Sequence, residues 1–210
     1  LEPETGRYLA SIDLGLQNFI TAIDPRTGAK TIDPKLVPSR EEAIVVCPHA
    51  GGAKSWVPGA INPATRVLFV PLVESCMDLT PVPLDQRGSL STGVRWTIRP
   101  RLDSDGRYGR IQAIDLATRK TVDSVPLGDD PELLDLSPDG KTIYVSNEDD
   151  AELSVIDVAS RKVLKTVKTG EEPEGVKVSR DGKIVYVTSE VANMVHVIDT
   201  ASGKIIKNVT

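Results

Sequence analysis

The feature that most constrains the fold is a repeat in the second half of the chain. Blocks of sequence recur there with a period of 42 residues, the distance from Gly128 to Gly170. The blocks of the first copy are Gly128–Glu132, Ser137–Lys141, Ile143–Ser146 and Val155–Asp157. A repeat of this length indicates stacked copies of one supersecondary unit, because a single copy cannot bury its own apolar face.

Each period contains four short apolar runs rich in Val, Ile, Tyr and Thr, which favour β-strands. In the first copy the runs are Glu132–Leu136, Thr142–Asn147, Leu153–Val158 and Val163–Val167. Asp139-Gly140 and its counterpart in the second copy predict hairpin turns, since Gly tolerates the positive φ that such turns require. Four antiparallel strands in one period predict a β-propeller blade. Tyr144 and Tyr186 should then be equivalent in successive blades, as should Asp157 and Asp199.

A related pattern occupies the first 122 residues. Ala22–Lys30 is interpreted as a strand followed by an Asp-Pro-x-Thr-Gly turn, and Ala113–Lys120 is a weaker copy. Arg7–Leu14 is interpreted as a leading outer strand. The chain is therefore predicted to be all-β, with about three four-stranded antiparallel blades plus that strand. A closed propeller normally needs at least four blades, so we expect an incomplete ring that pairs with a second copy or with missing blades.

The composition argues against several classes of function. Hydrophobic residues make up 40% of the 210 positions, which is typical of a globular chain. The net charge of −5, with both signs interspersed, argues against a nucleic-acid surface, which needs a basic field. No run of about 18 apolar residues occurs, so no membrane span is predicted. The chain opens at Leu1 without a leader, so it lacks a signal peptide, begins after one, or comes from a longer protein.

The two cysteines, the two histidines and one acidic stretch allow more than one interpretation. Cys47 and Cys76 would close a loop of about 30 residues as a disulfide, contributing roughly 3 kcal/mol, or remain two buried thiols. Cys47 and His49 could ligate a metal, but zinc takes about four ligands and no second pair is present. His196 lies in an alternating run and is predicted to face solvent or a blade face. The acidic stretch 148–152 lacks the ligand spacing of a calcium loop, so a solvated loop is predicted.

Two segments in the first part carry a family resemblance. Val46–Gly52, which reads Val-Cys-Pro-His-Ala-Gly-Gly, and Glu74–Pro81 resemble the late blades of the quinoprotein alcohol dehydrogenases, β-propellers that carry pyrroloquinoline quinone (PQQ). This resemblance covers residues 1–122 and ends where Asp123 stands in place of the family's blade-docking Trp. Residues 123–210 resemble instead the YVTN-type propeller repeats, through motifs such as Tyr144–Asn147. The chain thus resembles parts of two propellers, as a fragment or a chimera.

The resemblance implies a disulfide and a cofactor contact. It favours a bond between Cys47 and Cys76, which implies an oxidising compartment, the periplasm or another exported location. The segment Gly51–Pro58 matches the stretch that reaches the family's central funnel. There Ser55 stands where an Asn is expected, and Trp56 matches a Trp that contacts PQQ. A Ser hydroxyl can give one hydrogen bond, and an indole offers a flat face to a planar quinone.

The rest of the family's site is not matched in this chain. The resemblance places the calcium ligands, the catalytic Asp and a vicinal cysteine pair in earlier blades, so no catalytic residue and no metal ligand is assigned. Without them, hydride abstraction from an alcohol has no acid–base partner. The first hypothesis is a PQQ-dependent dehydrogenase-like propeller for a small alcohol or sugar, in which this chain forms one wall of the cofactor funnel. The alternative is a non-catalytic binding or structural propeller, natural or engineered, and whether the chain is an enzyme stays open.

Overall fold

The structure is a computed structural model of the chain. It describes residues 1–15, 17–37, 42–54, 57–86, 93–101 and 104–210. In chain order the strands are β1 (Ile20–Ile23), β2 (Lys30–Ile32), β3 (Ile44–Val46), β4 (Ala60–Asn62), β5 (Val67–Val73), β6 (Ser75–Pro81), β7 (Val94–Pro100), β8 (Gly109–Asp115), β9 (Lys120–Pro126), β10 (Pro131–Leu136), β11 (Thr142–Asn147), β12 (Glu152–Asp157), β13 (Lys162–Lys168), β14 (Pro173–Val178), β15 (Ile184–Ser189), β16 (Met194–Asp199) and β17 (Lys204–Val209). Short 3-10 helices occupy Pro34–Leu36 and Leu84–Gln86. Among the residues described, no helix has the length and apolar character needed to cross a membrane.

The chain forms two compact units. The first consists of Leu1–Ala53 and Glu74–Ser104, and the second of Lys54–Val73 and Asp105–Thr210. In the first unit β1 pairs with β2, and a separate sheet has the strand order β3-β6-β7. The hairpin β6–β7 is inserted in sequence between β5 and β8.

The second unit contains three four-stranded antiparallel sheets. Blade 1 has the order β4-β5-β8-β9, blade 2 has β10-β11-β12-β13, and blade 3 has β14-β15-β16-β17. This confirms the all-β propeller architecture, and the described residues form three such blades without a closed ring. The four predicted strands of blade 2 agree with β10–β13 to within one residue at each end.

The strands of blades 2 and 3 pair in the same register, as the repeat requires. Tyr144 of β11 pairs with Val155, and Tyr186 of β15 pairs with Val197. Gly140 closes the first hairpin of blade 2 with a φ of 72°. The equivalence of the two tyrosines is confirmed. That of Asp157 and Asp199 is confirmed too, since both aspartates end the third strand of their blades.

Alternation of side chains along the strands builds two cores between the three blades. Between blades 1 and 2 the buried residues are Phe69, Ile111, Ala113, Val125, Leu127, Leu134, Ile143, Val145 and Ile156. Between blades 2 and 3 they are Tyr144, Leu153, Val155, Val176, Val178, Val185, Val187 and Ile198. The first strands lie close to one another, since β10 contacts β4, β5 and β14. We call the side of the unit formed by β4, β10 and β14 the inner edge, because the blades approach most closely there.

One sequence prediction about the strands is wrong. Arg7–Leu14 forms no strand, although a leading strand was expected there. A strand needs a ladder of backbone hydrogen bonds to a neighbouring strand, and the sheets of the described residues do not include this segment. Its Tyr8 ring lies against Gly28 instead, so close that a Cβ at Gly28 would be 2.6 Å from Tyr8 Cδ2. The proposed boundary near Val122 falls within β9, which runs unbroken as the outer strand of blade 1.

Candidate functional site

Three carboxylates gather beside the inner edge of blade 2. Ligand oxygens of Asp130, Glu132 and Glu148 lie within 4.8 Å of one another. Asp130 lies in the turn before β10, Glu132 is in β10, and Glu148 follows β11. The antiparallel pairing of Pro131 with Asn147 brings these positions together. The Glu148 backbone N–H donates to the Asp130 carbonyl at 2.9 Å, which fixes the turn beside the strand end.

Acidic residues recur at the same three positions in blade 3, one period later. Glu172, Glu174 and Glu190 take the places of the three acids of blade 2, and Glu190 N–H donates to the Glu172 carbonyl at 2.8 Å. A hydrogen bond between the carboxyl groups of Glu190 and Glu174 raises the pKa of Glu174, together with burial and the neighbouring charges. The acidic residues therefore form a continuous negative strip across two blades, which we call the acidic strip.

Burial and the crowding of like charges raise the pKa values of two glutamates in the acidic strip. Burial raises the pKa of Glu148 to about 7, and the charges of Asp130, Glu132, Glu172 and Glu174 add to the effect. Burial also raises the pKa of Glu132, with Asp130 and Glu174 acting in the same direction. Of the described residues, Asp130, Glu132 and Glu148 are the ones that could hold a hard divalent cation, because carboxylate oxygens are its preferred ligands.

Lys54 is the cation associated with this strip. The positive charge of Lys54 lowers the pKa of Glu132 and so offsets part of the rise that burial causes. Burial also lowers the pKa of Lys54 itself. The Lys54 ammonium donates a hydrogen bond to the carbonyl of Val57, whose side chain is buried. Ser55 and Trp56, the predicted cofactor contacts, lie between these two residues in sequence and fall outside the described part of the chain. The structure therefore places Lys54, the residue before the predicted cofactor contacts, where its charge acts on Glu132 of the acidic strip.

The predicted disulfide is confirmed in the first unit. Cys47 and Cys76 are bonded, with an S–S distance of 2.01 Å and a Cα–Cα distance of 4.3 Å. Pairing of Val46 in β3 with Met77 in β6 places the two cysteines side by side. The bond and this pairing hold the loop that follows β3 against β6.

His49 belongs to that loop. Its Nδ1 lies 2.7 Å from Ser75 Oγ, and its backbone N–H donates to the Ser75 carbonyl at 3.0 Å. A Cβ at Gly51 would be 2.6 Å from His49 Nε2, so the glycine allows the ring to lie against the chain. Both polar contacts tie the loop to the start of β6, which is a structural role for this histidine.

His196 is an interior residue, so of its two predicted positions, solvent or a blade face, the structure excludes solvent. Its side chain is only 3% exposed. Nε2 accepts the Gly170 N–H at 2.8 Å, and Nδ1 lies 2.8 Å from Asn208 Oδ1. Because Nε2 accepts, the neutral ring carries its proton on Nδ1 and donates it to Asn208. The alternation of β16 could not reveal this burial, because the turn at Gly170 that covers the ring is 26 residues away.

The acidic stretch 148–152 divides between two roles. Asp149 and Asp150 are exposed, as predicted for a solvated loop, and Asp150 Oδ2 accepts the Asp129 N–H at 2.9 Å. Glu152 forms an ion pair with Lys168 at 3.4 Å. Only Glu148 joins the acidic strip. Sequence reasoning missed its partners Asp130 and Glu132, although the recurrence of acids at the same three places in both repeats was a usable signal.

Comparisons with known proteins agree with this architecture. The YNCE-like beta-propeller family matches residues 94–177. The europium-containing methanol dehydrogenase superposes with a TM-score of 0.68 and 19% identity, over 85% of this chain and 32% of its own. The quinohemoprotein alcohol dehydrogenase from Comamonas testosteroni superposes with a TM-score of 0.61 and 18% identity, over 87% of this chain and 28% of its own. No curated protein matches the sequence.

The fold therefore defines the chain as a β-propeller protein. Within that class it is similar in fold to alcohol dehydrogenases, including a second quinohemoprotein alcohol dehydrogenase from Pseudomonas putida with a TM-score of 0.62 and 16% identity, over 88% of this chain and 28% of its own. The chain spans about a third of the length of the methanol dehydrogenase and slightly less of the other two.

Proposed function

We propose that the chain is part of a PQQ-dependent alcohol or sugar dehydrogenase-like propeller and supplies one wall of its quinone cofactor funnel. The observation that carries this proposal is the interaction of Lys54 with Glu132 at the inner edge of blade 2. Lys54 immediately precedes Ser55, which stands where the family has a quinone-contacting Asn, and Trp56, which matches the family's Trp. A funnel wall requires that segment to face the inner edge of a neighbouring blade, and the position of Lys54 supports this.

Several side chains of this chain have the chemistry that part of such a site would need. The trio Asp130, Glu132 and Glu148 has the chemistry of a calcium-binding set. PQQ carries carboxylates, so a cation on this trio would attract the cofactor and offset the negative strip. When bound, PQQ supplies the acceptor for the hydride of an alcohol. In this chain Ser55 would donate a hydrogen bond and Trp56 would offer its ring, so both would bind and orient the cofactor. Neither is a base for the alcohol proton.

The compartment and the origin of the chain belong to the same proposal. The bond between Cys47 and Cys76 supports a periplasmic or otherwise exported location, because disulfides persist in oxidising environments. Residues 1–122 would derive from a quinoprotein-like blade with an inserted hairpin, and residues 123–210 from two YVTN-type blades, as a fragment or a chimera. The small substrate, an alcohol or a sugar, would reach the cofactor through the funnel.

One observation favours the alternative, a non-catalytic propeller scaffold. Burial raises the pKa of Glu148 to about 7, and the negative charges of the acidic strip add to this effect. An anionic quinone would be repelled by these carboxylates unless a cation or protons neutralised them. The two proposals therefore differ in whether calcium makes the inner edge able to bind PQQ.

Titration of the chain with PQQ, with and without calcium, tests the proposal. We expect weak, calcium-dependent quenching of Trp fluorescence, lost or strongly reduced in Trp56→Phe and retained in the control Trp96→Phe. Trp96 lies in β7 and is 48% exposed, so its replacement should leave the fold intact. Quenching that is unchanged in Trp56→Phe would mean that the wrong segment was chosen. No quenching at any calcium concentration would favour the scaffold. Alcohol-dependent dye reduction by the chain alone would refute the inference that the site lacks a base.

A further inference from the structure

We propose that the outward face of blade 3 is a docking surface for a further four-stranded blade of the same 42-residue repeat. This surface, called the open face below, consists of Tyr186, Thr188, Val195 and Val197. The inference concerns assembly and does not depend on the proposed cofactor. It rests on a comparison of two equivalent faces, one covered and one uncovered.

Blade 2 has an equivalent face, and blade 3 covers it. Tyr144, Leu153 and Val155, the counterparts of Tyr186, Val195 and Val197, are 7%, 0% and 5% exposed. They lie in the core between blades 2 and 3, against the valines at positions 176, 178, 185 and 187. Tyr186 is 41% exposed instead, and no described part of the chain covers it. Apolar residues in the same register are therefore buried in blade 2, whereas in blade 3 Tyr186 is exposed and Val195 and Val197 are partly exposed.

At the matching place the open face also carries a hydroxyl group, that of Thr188, which donates to no acceptor among the described residues. In blade 2 the Ser146 hydroxyl accepts the Leu133 N–H at 3.1 Å and donates to the Glu174 carbonyl of blade 3 at 2.7 Å. In blade 3 the Thr188 hydroxyl accepts the Gly175 N–H at 2.8 Å in the same way. Its hydroxyl hydrogen is available for a carbonyl of the next blade. This donor matches the backbone at the start of a repeat, which a general apolar partner would not supply.

A second copy of the chain is a poorer occupant than a further blade. The surface that covers blade 2 is the opposite face of blade 3, and in this chain it is already buried against blade 2. The equivalent face of blade 2 is buried against blade 1. On blade 1, Val70, Leu72 and Ile114 alternate with Phe69, Ile111 and Ala113 of the core and are at most 4% exposed. A second copy therefore has no matching face to offer without unfolding, whereas an additional repeat blade does.

Extending the chain by one repeat tests this proposal. Thr210 occupies the position of Lys168, so a second copy of residues 169–210 placed directly after Thr210 continues the repeat in register. In the extended chain we expect Tyr186→Ala to lower the Tm by roughly 10 °C, as Tyr144→Ala should in the original chain. In the original chain Tyr186→Ala should change the Tm by less than about 3 °C, because the ring is already partly in water.

A second variant tests the hydrogen bond separately. Thr188→Val removes the hydroxyl but keeps the shape, and it should lower the Tm of the extended chain more than that of the original chain. Equal effects of Tyr186→Ala in the two chains, or no gain of strand signal by circular dichroism on extension, would overturn the proposal. A dimer of the original chain that Tyr186→Lys converts to a monomer would also overturn it, since a second copy would then occupy the open face.

Discussion

Replacing Glu148 by Gln should stabilise the protein at neutral and alkaline pH. Burial and four neighbouring carboxylates raise the pKa of Glu148 from 4.5 to about 7. A raised folded-state pKa means that the folded protein binds this proton more tightly than the unfolded chain does. The resulting stability is fully present below about pH 4.5 and is lost as the pH rises through about 7. The whole shift corresponds to about 3 kcal/mol, and partial exposure reduces the expected effect to about 1–2 kcal/mol.

Thermal unfolding between pH 5.5 and 8 at low salt would measure this effect. The lower limit keeps the turn aspartates Asp115, Asp157 and Asp199 ionised, since hydrogen bonds to their carboxylates lower their pKa values. The parent chain should lose roughly 3 to 6 °C of Tm as the pH rises, and Glu148→Gln should lose much less. The control is Glu171→Gln, which removes one exposed charge outside the set acting on Glu148.

Two results would refute this reasoning. A parent Tm that does not fall between pH 5.5 and 8 would mean that Glu148 does not titrate in this window. A rise in Tm for Glu171→Gln equal to the rise for Glu148→Gln would mean that the lower net negative charge of the protein causes the stabilisation. A gain for Glu148→Gln that disappears in molar salt would be consistent with the proposed repulsion, because salt screens exposed charges.

Three further predictions concern stability. Unreduced protein should show no free thiol after denaturation, and Cys47→Ser should cost about 3 kcal/mol of unfolding free energy in urea, because a loop of about 30 residues is released; an unchanged midpoint would contradict this. His196→Ala should cost about 1–3 kcal/mol, because the Gly170 N–H loses its acceptor; a smaller loss would mean that water replaces the ring. Arg101→Met should cost about 3 kcal/mol, because buried Glu74 loses its ion pair, and adding Glu74→Gln should restore most of it.

Much of the fold could be predicted from the sequence because its causes are local. Strand propensity, the alternation of Val and Ile, and the Asp139-Gly140 turn depend on a few adjacent residues, and β10–β13 agree with the predicted strands. Because the repeat has a fixed period, the strand register of one blade predicts the register of the next. The segment Arg7–Leu14 shows the limit of this reasoning, since its strand-like composition does not place it in any sheet of the described residues.

The candidate site could be predicted only in part. The disulfide was expected from the family resemblance, and the structure confirms it. The clustering of Asp130, Glu132 and Glu148 depends on which strand ends lie side by side, so the acidic stretch after β11 could not by itself reveal the partners of Glu148. Ser55 and Trp56 rest on the resemblance and stay predictions.

The sequence by itself determined that this protein is made of repeated four-stranded blades with Asp-Gly turns and matched positions. Only the tertiary structure decided how deeply each of these matched positions is buried. Tyr144 and Tyr186 have similar local sequences and equivalent strand pairing, yet one is buried and the other is 41% exposed. Likewise His196 is buried by a distant turn that its own strand does not reveal. The reason is physical: strand formation depends on neighbours along the chain, whereas burial and charge crowding depend on which blade is stacked against which.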